Sequence, residues 1–406
     1  MADNDPISLI PGLPFDMAIE CLLRVPITSH PTLRLVSHGF HSAISDPSFF
    51  HHRRRLGFAE KLLFLLQPPP QQPLPIEKDT PGLPLYKLNI YNFTRSEWQR
   101  VALPIPTFAQ CAAVPAEGKV VVLGGWDPLT FEPVSKVLVF DLLNGTWKEG
   151  SPMPEKRSFF ACAAVGPTTI YVAGGHDGRK NALKSAAAYD VVLDEWRVLP
   201  EMTEERDECH GLSFDGSKFW VVSGYGTENQ GRFRLDCEVF APETESWTRI
   251  DGVWPNPSAA PRTAAAGGGG RWLMVGEGEV REFDWEERRW KGLDLGRLPK
   301  RISGSSSNLI VDVGDGDGDG DGEIIVMGNG ENCEAGCDVL GCGDGAFILE
   351  RNNKEMAHGN GYNKGIEILA VLVHPFQGEG EVRVYLHLET AVAHKLNVGP
   401  WPIKWR

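Results

Sequence analysis

The chain runs to 406 residues, room for two or three average domains or for one large repeat domain with a small companion. Its 40 Lys and Arg against 54 Asp and Glu give a formal charge of −14, which repels a phosphate backbone and argues against nucleic acid as a direct partner. No apolar run approaches the ~20 residues that span a bilayer and the acidic start "MADNDP" lacks a basic secretion signal, so no membrane partner and a cytoplasmic and nuclear location are expected.

The first patterned stretch, Leu9 to Phe50, reads "LIPGLPFDMAIECLLRVPITSHPTLRLVSHGFHSAISDPSFF". Ile19, Leu22 and Leu23, then Leu33, Val36 and Phe40 beyond Pro26, recur at three- and four-residue steps, which predicts three short helices. Asp16 falls in the first turn of the first helix, where a carboxylate favours the dipole, and Pro26 and Pro31 divide the run. So small a segment with apolar residues on more than one face buries too little surface to stand alone and needs a partner. The basic run "HHRRRLGFAEK" that follows reads as a solvated helix face, and "QPPPQQPLPIEKDTPGLP" (67–84), with seven prolines, as a stiff exposed insert.

Beyond it a unit repeats. Trp98, Trp147, Trp196 and Trp247 are spaced about 50 residues apart, Trp290 follows, and glycine pairs ending at Gly125 and Gly175 keep the same period. Within one unit, "FFACAAVG" reads as an innermost strand, "TIYVAGG" as the second, "SAAAYD" as the third and "EWRVLP" as the fourth. The glycines end the second strand where the chain turns sharply, and Tyr189 and Trp196 supply apolar area to the seam between units. Backward, "EKLLFLLQ", "PLYKLNIYN" and "SEWQRVALP" form a unit without its innermost strand. Forward the pattern degrades: "RWLMVGEGEV" keeps Gly276 and leads to Trp290, and "EIIVMGNG" keeps only a second strand. Either "IEILAVLVHP" or "EVRVYLHL" near the end could pair with the first unit and close a ring, removing exposed edges. "GDGDGDGDG" (314–322) places Asp315, Asp317 and Asp319 before Gly320 as a calcium loop would, but Val326 stands where the bidentate Glu belongs, so it reads as a flexible acidic loop.

The eight cysteines, Cys21 to Cys342, show no dense framework and read as reduced thiols. Cys333, Cys337 and Cys342 lack a fourth ligand, so no metal and no cofactor are expected. No GxSxG, HExxH, P-loop or dinucleotide fingerprint is present, which points away from an enzyme.

The repeat resembles the kelch motif, whose blades are four-stranded sheets of a β-propeller. The resemblance implies a mainly β chain: a propeller of about six blades over 57–406, behind a helical module over 1–56. In that module "LPFDMAIECLLRVP…LRLVSHGF…DPSFF" resembles an F-box, with Ser37 and Phe40 where Cys and Trp are usual. That resemblance implies binding to a Skp1-like adaptor, and through it to a cullin, by Leu9, Ile10, Pro11, Leu13, Pro14, Ile19, Leu22, Leu23, Val25, Pro26, Leu33, Val36, Phe40 and Phe49. F-box followed by kelch blades resembles a class abundant in plants. The segments "GGWDP", "RSFFACA", "YVAGGHDGRKNALKSA", "RDECHG" and "SGYGTENQGRFR" are similar to the subgroup that targets phenylalanine ammonia-lyase, some members of which act on type-B response regulators. In such a propeller the second-to-third-strand loops share a face with the fourth-to-first connections. There Arg157, Arg206 and Arg262 would ring the channel mouth and grip a protein client, with Trp126, His176, Arg179, Tyr225, Arg232 and Phe233 beside them. Two alternatives stand beside this reading: arginines that merely bridge blades, and a kelch scaffold without ligase function.

Overall fold

The computed structural model describes residues 9–58, 60–67, 86–92, 97–105, 109–127, 129–293, 309–312, 323–327, 346–350 and 368–372. All but Gln67 of the proline-rich insert, the 314–322 loop, the Cys333 group and "EVRVYLHL" lie outside these residues.

Four α-helices open the chain rather than three: α1 (Phe15–Leu23), α2 (His30–Arg34), α3 (His38–Ser45) and α4 (Pro47–Arg55). Ser37 caps α3, its Oγ accepting from the Phe40 N–H at 3.2 Å. The fourth begins at Asp46-Pro47: Asp46 accepts from the Ser48 N–H at 2.8 Å and proline sits in the first turn, where its missing N–H leaves nothing unpaired. The same logic explains Pro31, which lies in the first turn of α2 instead of breaking a helix. Leu9, Ala18, Leu22, Leu23, Ile44 and Phe49 form the core of this module.

The rest is strand, in chain order β1 (Leu62–Gln67), β2 (Tyr86–Asn92), β3 (Glu97–Ile105), β4 (Gln110–Val114), β5 (Lys119–Leu123), β6 (Val137–Asp141), β7 (Thr146–Glu149), β8 (Ala161–Val165), β9 (Thr169–Ala173), β10 (Ala186–Asp190), β11 (Glu195–Leu199), β12 (His210–Leu212), β13 (Phe219–Val222), β14 (Cys237–Ala241), β15 (Ser246–Ile250), β16 (Ala264–Ala266), β17 (Trp272–Gly276), β18 (Glu279–Asp284), β19 (Arg289–Gly292), β20 (Leu309–Asp312), β21 (Glu323–Met327), β22 (Ala346–Glu350) and β23 (Ile368–Leu372). Among the described residues they make six antiparallel-built sheets, β4–β7, β8–β11, β12–β15 and β16–β19 with four strands each, β20–β22 with three, and β23-β1-β2-β3. Gln67, placed in the insert on sequence grounds, is the last residue of β1. In the first sheet β23 runs parallel to β1, pairing Leu62 with Ile368 and Leu65 with Leu372. The innermost strands neighbour one another in the order β23, β4, β8, β12, β16, β20 and back to β23, so the ring is closed.

The repeat spacing now has physical causes. Gly124, Gly125, Gly174 and Gly175 are left-handed, and a Cβ on Gly174 would stand 2.5 Å from the Arg206 carbonyl of the next blade. Asp190 closes the third-to-fourth-strand turn by accepting from the Val192 and Leu193 N–H groups, and Asp141 and Asp284 do the same in their blades. The tryptophans stitch blades. The Trp196 indole donates to the Ser151 carbonyl at 2.8 Å, Trp247 to Pro200 at 2.7 Å and Trp290 to Val253 at 2.8 Å, each acceptor lying just after the outer strand of the preceding blade. Tyr189 stacks on Trp196 at 4.9 Å inside the seam.

Candidate functional site

The propeller has two ends, and the second blade (β4–β7) shows both. At its turn end the helical module packs. The Phe50 ring lies where a Cβ on Gly118 would come within 3.1 Å, Pro31 faces Gly145, and Arg34 lies in the favourable field of Asp141. Ile27 joins the apolar seam of Leu62, Phe64, Ile90, Phe140 and Leu142 between the first two blades. Arg53, expected on a solvated face, is buried. It donates to the Leu23 and Val25 carbonyls and to Glu60, which in turn accepts from the Ile27 N–H at 2.8 Å and the Asn92 amide at 3.1 Å. This buried pair joins the helices to the first sheet and desolvates two charges, a cost that their pairing and the bonds to Leu23, Val25, Ile27 and Asn92 offset.

Facing away from its own core, the module exposes apolar side chains. Of the residues predicted to meet an adaptor, Pro11, Leu13, Pro14 and Val36 are exposed, Val36 by 61%. Ile10, Ile19, Val25, Pro26, Leu33 and Phe40 are half-buried. Leu9, Leu22, Leu23 and Phe49 instead build the module's interior and cannot contact a partner without unfolding it. The exposed set also includes Phe15, Met17 and Leu35, the last at 86%, which periodicity assigned to no face. Exposed large apolar groups clustered on one small module mark an interaction surface.

The loop end corrects the arginine reading. Arg157 and Arg206 are only 2% and 0% exposed and do not ring an open mouth. Arg157 donates to the Gly174 and Ser185 carbonyls at 2.9 and 3.0 Å and to Glu155 at 2.9 Å. Arg206 donates to the Ser223 carbonyl at 2.8 Å and pairs with Asp236 and Glu238. Burial works against an ionised Asp236, yet Arg206 and Arg234 hold its carboxyl below the usual range. The backbone of each arginine serves the blade before it: the Gly125 N–H donates to the Arg157 carbonyl and the Gly175 N–H to that of Arg206. Arg157 and Arg206 recur because each joins its own blade to the one before. The backbone of Arg262 lies in a short turn before β16, and its side chain is not among those described.

The predicted aromatic anchors are likewise buried. Phe233 packs on Tyr225 and Ala260, and the Tyr225 hydroxyl donates to Glu208 at 2.9 Å. Trp126 sits edge-on to Phe159 and near His176, which stacks on Phe159 at 5.3 Å. The His176 Nδ1–H donates to Asp207 at 2.9 Å, and its Nε2 accepts from the Lys180 ammonium at 2.9 Å, which lies 3.6 Å above the Trp126 ring. Arg179 and Arg232 are exposed on neighbouring loops. Those two loops touch, the Ala182 N–H donating to Thr227. The structure therefore brings Trp126 and His176 together with Phe159, Asp207 and Glu208, three residues the sequence did not single out, and with Lys180, which in sequence can be read as a solvated loop charge. Phe159 and Glu208 stand two places after Arg157 and Arg206 in "RSFF" and "RDEC", a periodicity that could have marked them.

Comparison with known proteins agrees with this division of labour. Residues 10–52 match the F-box domain model, and residues 79–278 match the KLHDC2/KLHL20/DRC7 Kelch-repeats domain model. The chain is 43% identical to the F-box/kelch-repeat protein At2g44130 of Arabidopsis thaliana over 329 residues, 73% of this chain and 80% of that protein. It is also 43% identical to the F-box/kelch-repeat protein SKIP20 of the same plant, over 72% of this chain and 81% of that one. F-box/kelch-repeat protein At1g15670 is 39% identical over 60% of this chain and 69% of its own length.

Proposed function

Because the chain belongs to the F-box/kelch-repeat family, we propose that it is the substrate-recognition subunit of an SCF-type (Skp1–cullin–F-box) ubiquitin ligase, a non-catalytic receptor that directs client proteins to ubiquitination. The observation that carries this reading is the polarity of the molecule. An apolar helical surface formed by Leu13, Phe15, Met17, Leu35 and Val36 stands outside the helical core, on a module packed against the turn end of the second blade. The loop end, with its polar and aromatic groups, is left for a client. A soluble chain has reason to keep such a surface when a partner covers it.

The finer reading is that the client is phenylalanine ammonia-lyase or a type-B response regulator, held at the loop end. The likeness of the loop segments "GHDGRKNALK" and "GYGTENQGRFR" to that subgroup supports it, because loop residues are not required by the scaffold. The receptor would then act where those clients occur, in cytoplasm and nucleus.

Affinity capture of tagged chain from plant cells, with and without a proteasome inhibitor, tests both levels. Recovery of a Skp1-type adaptor and cullin is expected, and Leu13→Ala with Pro14→Ala should abolish it while the melting temperature stays put. Adaptor recovery unchanged by that pair would overturn the receptor reading. Adaptor without either client, inhibitor present, would overturn only the client assignment.

A further inference from the structure

We propose that the loop-end cluster of Trp126, His176, Asp207 and Glu208 is a binding site for a basic side chain of the client, an alkylammonium or guanidinium, and that Lys180 occupies it in the free protein. The proposal rests on the receptor reading above for the existence of a client, but not for the chemistry of the cleft.

The chain's own ammonium shows what the cleft holds. Lys180 Nζ lies 3.6 Å from the centre of the Trp126 ring, the position in which a cation meets the negative face of the π-system. It donates to His176 Nε2 at 2.9 Å. With Nδ1 of the same ring turned to Asp207 at 2.9 Å, it is Nε2 that meets the Lys180 ammonium, a group with donors only. Glu208 adds a second carboxylate, fixed by the Tyr225 hydroxyl at 2.9 Å, and both Asp207 and Glu208 favour a cation at the Lys180 position. An incoming carboxylate would meet the like charges of Asp207 and Glu208, whereas an incoming cation can take over Lys180's contacts.

Lys180 is a weakly held occupant. It sits at the tip of an exposed loop with φ 64°, a left-handed backbone that is strained in a residue with a side chain. Burial pulls its amine down to about 8, the two carboxylates only partly compensating, so the side chain gives up hydration that it regains on leaving. Phe159 and Glu208 are left-handed as well, with φ 56° and 48°. Three strained non-glycine residues thus converge on one small volume, a concentration found where structure is held for function.

The test uses the full chain and three capped amino acids as probes: N-acetyl-lysine methylamide, its neutral counterpart N-acetyl-norleucine methylamide, and N-acetyl-glutamate methylamide. Binding is followed by titration calorimetry, which reports on every variant alike. Where an internal group fills a site nine-tenths of the time, removing it raises apparent affinity about tenfold. The lysine probe should therefore bind Lys180→Gln about tenfold more tightly than the parent, and Lys180→Arg, which keeps a cation in the cleft, should behave as the parent. Trp126→Leu in the Lys180→Gln background should lose the binding, and the norleucine probe should fail throughout. Equal binding of the lysine probe to parent and Lys180→Gln, no binding to either, or preference of the parent for the glutamate probe would overturn the proposal. Adaptor capture by the same proteins separates the two readings: adaptor held with no cation site sinks this proposal alone, and a working cation site with no adaptor sinks the receptor reading alone.

Discussion

The two ends of the second blade are built on one apolar seam, which runs from Ile27 and Leu142 at the turn end to Trp126 and Phe159 at the loop end. What lies beyond the seam differs. At the turn end the main ion pair is buried: Arg53 and Glu60 are 3% and 6% exposed at their side chains and share hydrogen bonds with three backbone groups and Asn92. At the loop end the charges are layered. Arg157 and Arg206 lie deep and answered, while above them Lys180 sits in a left-handed loop against an aromatic ring. A junction between domains gains from having one arrangement. A surface that must admit another protein gains from groups that can be displaced.

Breaking the deep layer should have the largest effect. Arg206→Ala leaves Asp236 and Glu238 buried without their cation and should destabilise the propeller by about 3–5 kcal/mol in denaturant unfolding. For that reason it cannot report on client binding, and an exposed residue such as Arg179, whose loss should shift stability by no more than about 0.5 kcal/mol, is the better probe.

Breaking the junction comes next. Glu60→Ala strands Arg53 and should cost about 3 kcal/mol, but locally: hydrogen exchange should quicken through α4 and the Ile27 segment while β8–β11 keep their protection. Uniform loss of protection would show that module and propeller unfold as one body.

Both ends should gain stability as pH rises, but in different windows. Burial, helped by the charge of Arg53, lowers His30 from 6.5 to about 4, so between these values the unfolded chain binds a proton that the folded chain does not. Stability is therefore lost as pH falls through this window, by about 2 kcal/mol at pH 5, and His30→Gln should flatten the slope. Lys180, lowered from 10.5 to about 8, makes the unfolded chain the stronger proton binder in the alkaline range, so stability should rise from pH 8 towards 10 and Lys180→Gln should remove that rise. The smallest effect belongs to the seam itself: Trp196→Phe keeps the stack on Tyr189 but loses the indole bond to Ser151, at about 1 kcal/mol in thermal unfolding.

Local rules made much of this legible. The glycine pairs, the aspartate turns and the tryptophan period each serve one contact repeated in several blades, so they repeat in the sequence, and the missing inner strand of the first unit pointed to a partner near the far end. The arginines show the limit of that logic. Their recurrence before inner strands marks a shared structural contact, Arg157 and Arg206 joining Gly174 and Ser223 to their neighbours. Whether a recurring cation faces water or a carbonyl depends on contacts 17 residues away, which no window shows. The Arg53–Glu60 pair escaped for a similar reason: a run of basic residues after a helix looks solvated until the sheet beneath supplies Asn92 and the helices supply open carbonyls. β20 and β22 keep neither the glycine pair nor the tryptophan, so only their pairing with β21 reveals them.

The strand that completes the first sheet is the last of the described strands in chain order. β1 and its parallel partner β23 are separated by roughly 300 residues, which a ribosome adding about 5–20 residues per second takes on the order of 15–60 seconds to produce. For that interval "LLFLLQ" has one edge without its final neighbour, while the helices before it already possess all their own core residues. Newly made chains should then pass through a stage in which the adaptor surface is finished and the ring is not. Brief protease treatment of ribosome-stalled chains halted before Ile368 should cut near β1 and spare α1–α4, and an uncut β1 would mean that some other strand guards the edge until β23 arrives.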